Sequence, residues 1–203
     1  AVTGSGILNG QGQAWWPWKQ RQPGMVQLFE MGKSRVPVEE RAFGTEEAGV
    51  RPPFIQFLEC KNVYLQGVTI IDGPSWNVHP VWCENIIIRK IKVIAHGPNN
   101  DGINPDGCKN VLIEDCYVDA GDDALTMKSG RDEEAWEIGR PLENVVIRRC
   151  TVKKGNGGFV IGTEMSAGVR NILVEDCHFD GTSRGVRRTI YETACTCRSL
   201  RSR

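Results

Sequence analysis

The chain has 203 residues, enough for one sizeable core, and 40% apolar with 25% charged side chains is an ordinary globular mix. Its 25 basic and 25 acidic side chains cancel, so no global field draws it to nucleic acid or to an anionic membrane, and an acidic ligand would have to be held by local Arg and Lys. No run of about 18 apolar residues is present to span a bilayer, and Ala1-Val2-Thr3-Gly4-Ser5-Gly6 lacks the basic and apolar regions of an export signal.

The first segment is irregular. Trp15, Trp16 and Trp18 cluster around Pro17, a grouping that can stack on sugar rings but more often closes a core. Residues 19–50 read as a long loop of mixed charge. Beyond them the chain becomes periodic. Five segments begin at Asn62 (NVYLQGVTI), Asn85 (NIIIRKIKV), Asn110 (NVLIEDCYV), Asn144 (NVVIRRCTV) and Asn171 (NILVEDCHF), at intervals of 23, 25, 34 and 27 residues. Apolar and polar residues roughly alternate within each, and Val and Ile dominate, which is strand chemistry. Short strands recurring at this period, with no sustained helical stripe, predict a solenoid. The long third interval predicts an insertion near Ser129–Arg140, read as a charged surface loop.

The eight cysteines follow the repeat rather than a disulfide pattern. Cys60, Cys83 and Cys108 each precede a repeat Asn by two residues; Cys116, Cys150 and Cys177 each follow one by six. Stacked coils would turn them into internal ladders of small buried side chains, and the five Asn into a ladder of amides bonded along the axis. No Cys-x-x-Cys pair suggests a metal site. Cys195 and Cys197 fit neither ladder, and Ile190–Arg203 shows no strand pattern and reads as an irregular tail.

Laying the coils over one another brings carboxylates together. Aligning Leu125 with Ile103 puts Asp123 beside Asp101 and Asp122 beside Asn100, while Asn156 falls at the level of Asp122 on the next coil. Parallel coils are about 4.8 Å apart, so three carboxylates converge on a patch kept open by glycines. Such crowding raises at least one pKa and leaves a protonated acid beside an ionised base, as glycoside hydrolysis needs. Singly, each Asp would more readily be a turn or capping residue, and a calcium site is a third reading of clustered Asp and Asn oxygens.

These residues carry a resemblance to family 28 of the glycoside hydrolases, the polygalacturonases and related pectin hydrolases. It spans about residues 3–187 and rests on Asn9-Gly10-Gln11-Gly12 with Trp15-Trp16, Arg51-Pro52, Ser75-Trp76-Asn77-Val78-His79-Pro80, Asn99-Asn100-Asp101-Gly102 and Gly121-Asp122-Asp123. Gly157–Met165 looks like the bacterial branch. The resemblance implies an all-β fold, a right-handed single-stranded parallel β-helix of the pectin-lyase type over residues 1–189, with early and late coils missing. It implies inverting hydrolysis with Asp122 as general acid and Asp101 and Asp123 acting on the attacking water. It requires no cofactor and no metal. Asn99, Asn156, Lys128 and Arg187 are the expected substrate-binding residues. An acidic polysaccharide such as pectin or polygalacturonate is the expected partner, the expected state is a monomer, and the expected location is secreted or periplasmic.

Two positions depart from the family. Asn156 stands where many members have His, and can hydrogen-bond but cannot titrate. Thr189 stands where Lys belongs beside Arg187, and Arg188 should point to the other face. Residues 190–203 resemble nothing in the family, as a truncation or a shifted frame would produce; resequencing the encoding gene through this junction tests that. Three functional readings follow: a galacturonan hydrolase, including rhamnogalacturonan and other pectic hydrolases; a β-helix polysaccharide lyase; and an inactive or merely sugar-binding fragment.

Overall fold

The computed structural model describes residues 1–188 and 200–202. The chain winds as a right-handed parallel β-helix, in which each coil gives one strand to each of three sheets. The first sheet stacks Val2–Thr3, Lys61–Gln66, Glu84–Arg89, Lys109–Glu114, Leu142–Arg148, Val169–Glu175 and Leu200–Ser202, every pairing parallel. The second stacks Ile7–Asn9, Thr69–Ile71, Lys92–Ala95, Tyr117–Ala120, the start of Thr151–Ile161, and His178–Phe179. The third runs from Ile55–Leu58 and Val78–Val81 through single bridges at Ile103 and Asp106 to Leu125–Met127, the end of Thr151–Ile161 and Thr182–Arg188.

Alternation along each strand fills the interior. Ile86 and Ile88 are fully buried while Ile87 between them faces out, and the same inward positions recur as Val63 and Leu65, Val111 and Ile113, and Val145 and Ile147. The repeat Asn marks a tight corner. All five adopt left-handed backbone with φ between 55° and 59°, a region that Asn tolerates better than most residues. Their amides bond along the axis, Asn85 to Asn62 at 3.2 Å, Asn110 to Asn85 at 3.0 Å, Asn144 to Asn110 at 3.1 Å and Asn171 to Asn144 at 3.2 Å. Asn110→Ala therefore loses two rungs and forces Ala into a left-handed corner. About 2 kcal/mol of destabilisation is expected by urea denaturation, part from the backbone and part from the exposed hydrogen bonds.

The six cysteines among the described residues form the two expected ladders and are free thiols. The Cys60 N–H donates to Cys83 Sγ and the Cys83 N–H to Cys108 Sγ, at 3.3 and 3.4 Å.

The structure corrects the reading of two loops. Residues 19–50 contain a helix, α1 (Pro23–Lys33), and the charged insertion folds as α2 (Asp132–Ile138). Pro23 at the first turn suits α1. Three acids in the first turn of α2 complement its dipole, and Gly139, left-handed at φ 63°, ends it. The two excursions meet: Arg41 Nη1 donates to both Glu134 oxygens at 2.8 and 3.0 Å, Arg35, just past α1, pairs with Glu137, and the Arg131 guanidinium at the start of α2 sits over the Phe29 ring of α1. Both helices lie in excursions that leave the helix at a margin of the third sheet, residues 10–54 before its first strand and residues 129–140 just past Leu125–Met127.

At the other end, Leu200–Ser202 pairs with Ile172–Val174 where an irregular tail was expected. Thr189, Cys195, Cys197 and the rest of that segment lie outside the described residues. No helix among the described residues is long and apolar enough to cross a membrane.

Candidate active site

The corner between the second and third sheets brings the sequence-predicted carboxylates together. Ile103 bridges Leu125, as the coil alignment requires, and the Gly102 N–H donates to the Asp123 carbonyl at 2.9 Å. Asp101 and Asp123 thus share one level of neighbouring coils. On the next coil the Asn156 N–H donates to the Asp122 carbonyl at 2.9 Å, which holds the exposed Asn156 at the level of Asp122.

The three acids differ in surroundings. Asp101 and Asp123 are buried, at 4% and 6% exposure, whereas Asp122 is half-buried. Burial is the largest influence on Asp101 and holds its carboxyl well above the ordinary carboxylate range; Lys128 opposes the shift, and the charges of Asp122, Asp123 and Glu164 add to it. Asp123 is also raised, chiefly by burial, but Arg187 works strongly against this. The Arg187 guanidinium reaches across an intervening coil to Asp123 Oδ2 at 2.5 Å. It passes Gly157, where a Cβ would lie 2.3 Å from Val160 and 3.2 Å from Asp123 Oδ1, so the floor admits no side chain without displacement.

Asp122 is oriented from two sides. Its Oδ1 accepts the Asp123 N–H at 2.9 Å and its Oδ2 accepts the Asn99 amide at 3.3 Å. Coil alignment set Asn100 beside Asp122, but the left-handed backbone of Asn99, φ 55°, sends that side chain there instead. Asn100 turns inward and ties three backbone groups, donating to Gly73 and Ser75 carbonyls and accepting from the Gly97 N–H, all at 2.8 Å.

Lys128 lies beneath the trio, at 3% exposure. Its ammonium donates to Glu164 at 2.7 Å, lies 3.9 Å from Asp101 and sits 4.2 Å from the centre of the Trp76 ring. Burial alone would depress Lys128, but Glu164 and Asp101 hold it above the usual lysine range. Glu164 is likewise pushed up by burial and pulled below its ordinary value by Lys128. Glu164 and Trp76 were not singled out as site residues from the sequence; Lys128, buried between acids on other coils, is what links them. The Trp cluster closes a corner: Trp16 donates to the Gly73 carbonyl at 3.0 Å and packs so close that a Cβ on Gly97 would lie 2.1 Å from its ring.

The unequal burial has a measurable consequence. Because the folded-state pKa of Asp101 is raised, its contribution favours folding below the unfolded pKa and is lost as pH rises through the folded one. Asp101→Asn is therefore expected to raise stability at neutral pH. The gain should vanish near pH 3–4, about where free carboxyls protonate. Melting curves across pH test this, and an equal gain at all pH values would contradict it.

The sequence model of the glycosyl hydrolases family 28 matches residues 38–200, reaching into the segment expected to resemble nothing in the family. A probable polygalacturonase of Vitis vinifera is 36% identical over 190 residues, covering 92% of this chain and 34% of its own length. The crystal structure of a hyperthermoactive exopolygalacturonase from Thermotoga maritima superposes with a TM-score of 0.90 at 43% identity, over 93% of this chain and 46% of that one. A family 28 exopolygalacturonase of Yersinia enterocolitica, 22% identical, shares the fold with a TM-score of 0.72 over 84% of this chain and 29% of its own. The chain spans about a third of the length of the curated relatives it matches. By these matches and by its coils, this chain belongs to glycosyl hydrolases family 28.

Proposed function

We propose that this chain carries the acid/base centre of a glycoside hydrolase that cleaves α-1,4-galacturonosyl bonds of polygalacturonate or pectin with inversion at the anomeric carbon. The observation that carries the reading is the meeting of Asp101, Asp122 and Asp123 at one corner of adjacent coils, two of them buried and one half-exposed. The names of the relatives, polygalacturonases and exopolygalacturonases, support the substrate class.

Asp122, oriented by Asn99 and open to the surface, is suited to protonate the leaving oxygen. Asp123, with Arg187 favouring its ionised form, is suited to take the proton of the attacking water, while Asp101, at the same level on the neighbouring coil, is suited to hold that water by hydrogen bonding. Asn99, Asn156 and Arg187 border the same corner, where a uronate carboxylate can meet the guanidinium. Lys128 was expected to bind substrate. Its burial supports a different role, in which it holds Asp101 and Glu164 rather than touching sugar. A secreted or periplasmic location follows from a polymeric cell-wall substrate.

Incubation with polygalacturonate should release reducing ends, and proton NMR at early times should show the β-anomer, the inverted product of an α-linkage. Release of the α-anomer would contradict inversion, and no release from galacturonan, rhamnogalacturonan or xylogalacturonan would remove the hydrolase reading.

A further inference from the structure

Among the described residues, Arg51 is a buried charge without a buried counter-charge. It is 9% exposed, and its hydrogen bonds among the described residues go to neutral acceptors: the Pro74 carbonyl at 3.0 Å, the Pro98 carbonyl at 2.7 Å and Asn99 Oδ1 at 2.7 Å. Its Nε is buried and unpartnered. Burying a guanidinium this way is costly, and two carbonyls of neighbouring coils could be tied by a neutral amide at lower cost. The third contact supplies the reason. A guanidinium can only donate, so Asn99 must turn its oxygen toward Arg51. Its NH₂ then has one direction left, and there it meets Asp122 Oδ2 at 3.3 Å.

We infer that Arg51 is a positioning residue of the hydrolytic centre, acting through Asn99 to fix the carboxyl of Asp122. Arg51 belongs to the return of the 10–54 excursion, immediately before the third sheet's first strand at Ile55–Leu58. One side chain thereby joins the excursion to the corners of two coils and to the proposed acid. The inference rests on the assignment of Asp122 as the acid.

The test compares kcat and KM on polygalacturonate for the unmodified chain, Arg51→Ala, Arg51→Lys, Asn99→Ala, the double variant and Asp122→Asn. Arg51→Ala should lower kcat at least tenfold with KM within threefold, and millimolar guanidinium should restore part of the loss where ammonium does not. Arg51→Lys should remain low, because a point charge cannot serve three divergent acceptors. In the Asn99→Ala background, Arg51→Ala should cost less than threefold more, since the path to Asp122 is already cut. Additive losses in the double variant, or full kcat in Arg51→Ala while Asp122→Asn is inactive, overturn the inference alone. Full activity in Asp122→Asn, or no turnover in the unmodified chain, overturns the underlying assignment and the inference with it. Should Arg51→Ala fail to fold, Asn99→Asp decides: it keeps an acceptor for Arg51 but offers Asp122 no donor, and unchanged kcat there overturns the inference.

Discussion

Asp122→Asn is expected to lower kcat on polygalacturonate by about 10²–10⁴-fold, the usual worth of general acid catalysis, with KM changed only a few-fold. The amide has nearly the same shape, so the polymer still meets the same surface, but it cannot protonate the leaving oxygen. Nor can it keep both present contacts well. Asp122 accepts from the Asp123 N–H and from Asn99, whereas an amide presents one oxygen and one donor, so its NH₂ must face one of two donors. The side chain is half-buried, and the cost of this mismatch should show as a melting shift of a few degrees at most. A galacturonide with an aryl leaving group, which departs without a proton, should be hydrolysed by the variant far better than the polymer. Equal losses on both substrates, or kcat within threefold of the parent, would exclude Asp122 as the acid. Asp123→Asn is a different perturbation, because it leaves the Arg187 guanidinium facing a neutral group.

The coils and the carboxylates were legible because the solenoid repeats its instructions. Five Asn, each needing the same left-handed corner, and two cysteine ladders fix the phase of every coil, and phase alone predicts that Ile103 sits on Leu125. Once that register holds, Asp101 and Asp123 must be neighbours. What occurs once was harder to see. The helices α1 and α2 interrupt the solenoid in single copies, and α2 is only seven residues long, too short for a periodic signal. Its stability comes from Gly139, from the acids of its first turn and from contacts with α1 and the residues just past it, partners about a hundred residues earlier. Arg51 and Asn99 are 48 residues apart, which is two coil intervals of 23 and 25, but Arg51 precedes the first repeat Asn, where no coil had yet been phased; Lys128 and Glu164 are 36 apart, two more than the 34-residue interval between their coils. The exchange of Asn100 for Asn99 beside Asp122 has a local cause. Coil alignment counts residues, and a left-handed residue at a corner moves a side chain off the level that counting assigns.

Removing the charge of Lys128 should be the most destabilising single change near the site. Lys128→Met keeps the length and apolar stem of the side chain and leaves Glu164 and Asp101 without their common cation. Breaking a buried pair in this way costs roughly 3–5 kcal/mol, because the partner charges remain desolvated. Met also gives up the ammonium over the Trp76 ring, a contact worth about 1–2 kcal/mol when desolvated. The pH dependence gives the mechanism away. In the parent, Glu164 is depressed, so its contribution is present above the unfolded carboxylate pKa and is lost as pH falls through the folded one. In the variant, burial, the largest influence, is opposed only by the Thr163 hydroxyl and a backbone N–H, so the folded pKa is expected above the unfolded one, which reverses the sign: stability is retained in acid and lost as pH rises. The gap between parent and variant should therefore be widest near neutrality and narrow below about pH 4, where free carboxyls protonate. Adding Glu164→Gln to Lys128→Met should recover a large part of the loss, since the double change removes both charges and keeps a group that can still hydrogen-bond Thr163. A deficit that is the same at every pH, and that the double variant does not relieve, would mean that Lys128 serves by packing its stem and not by balancing the acids around it.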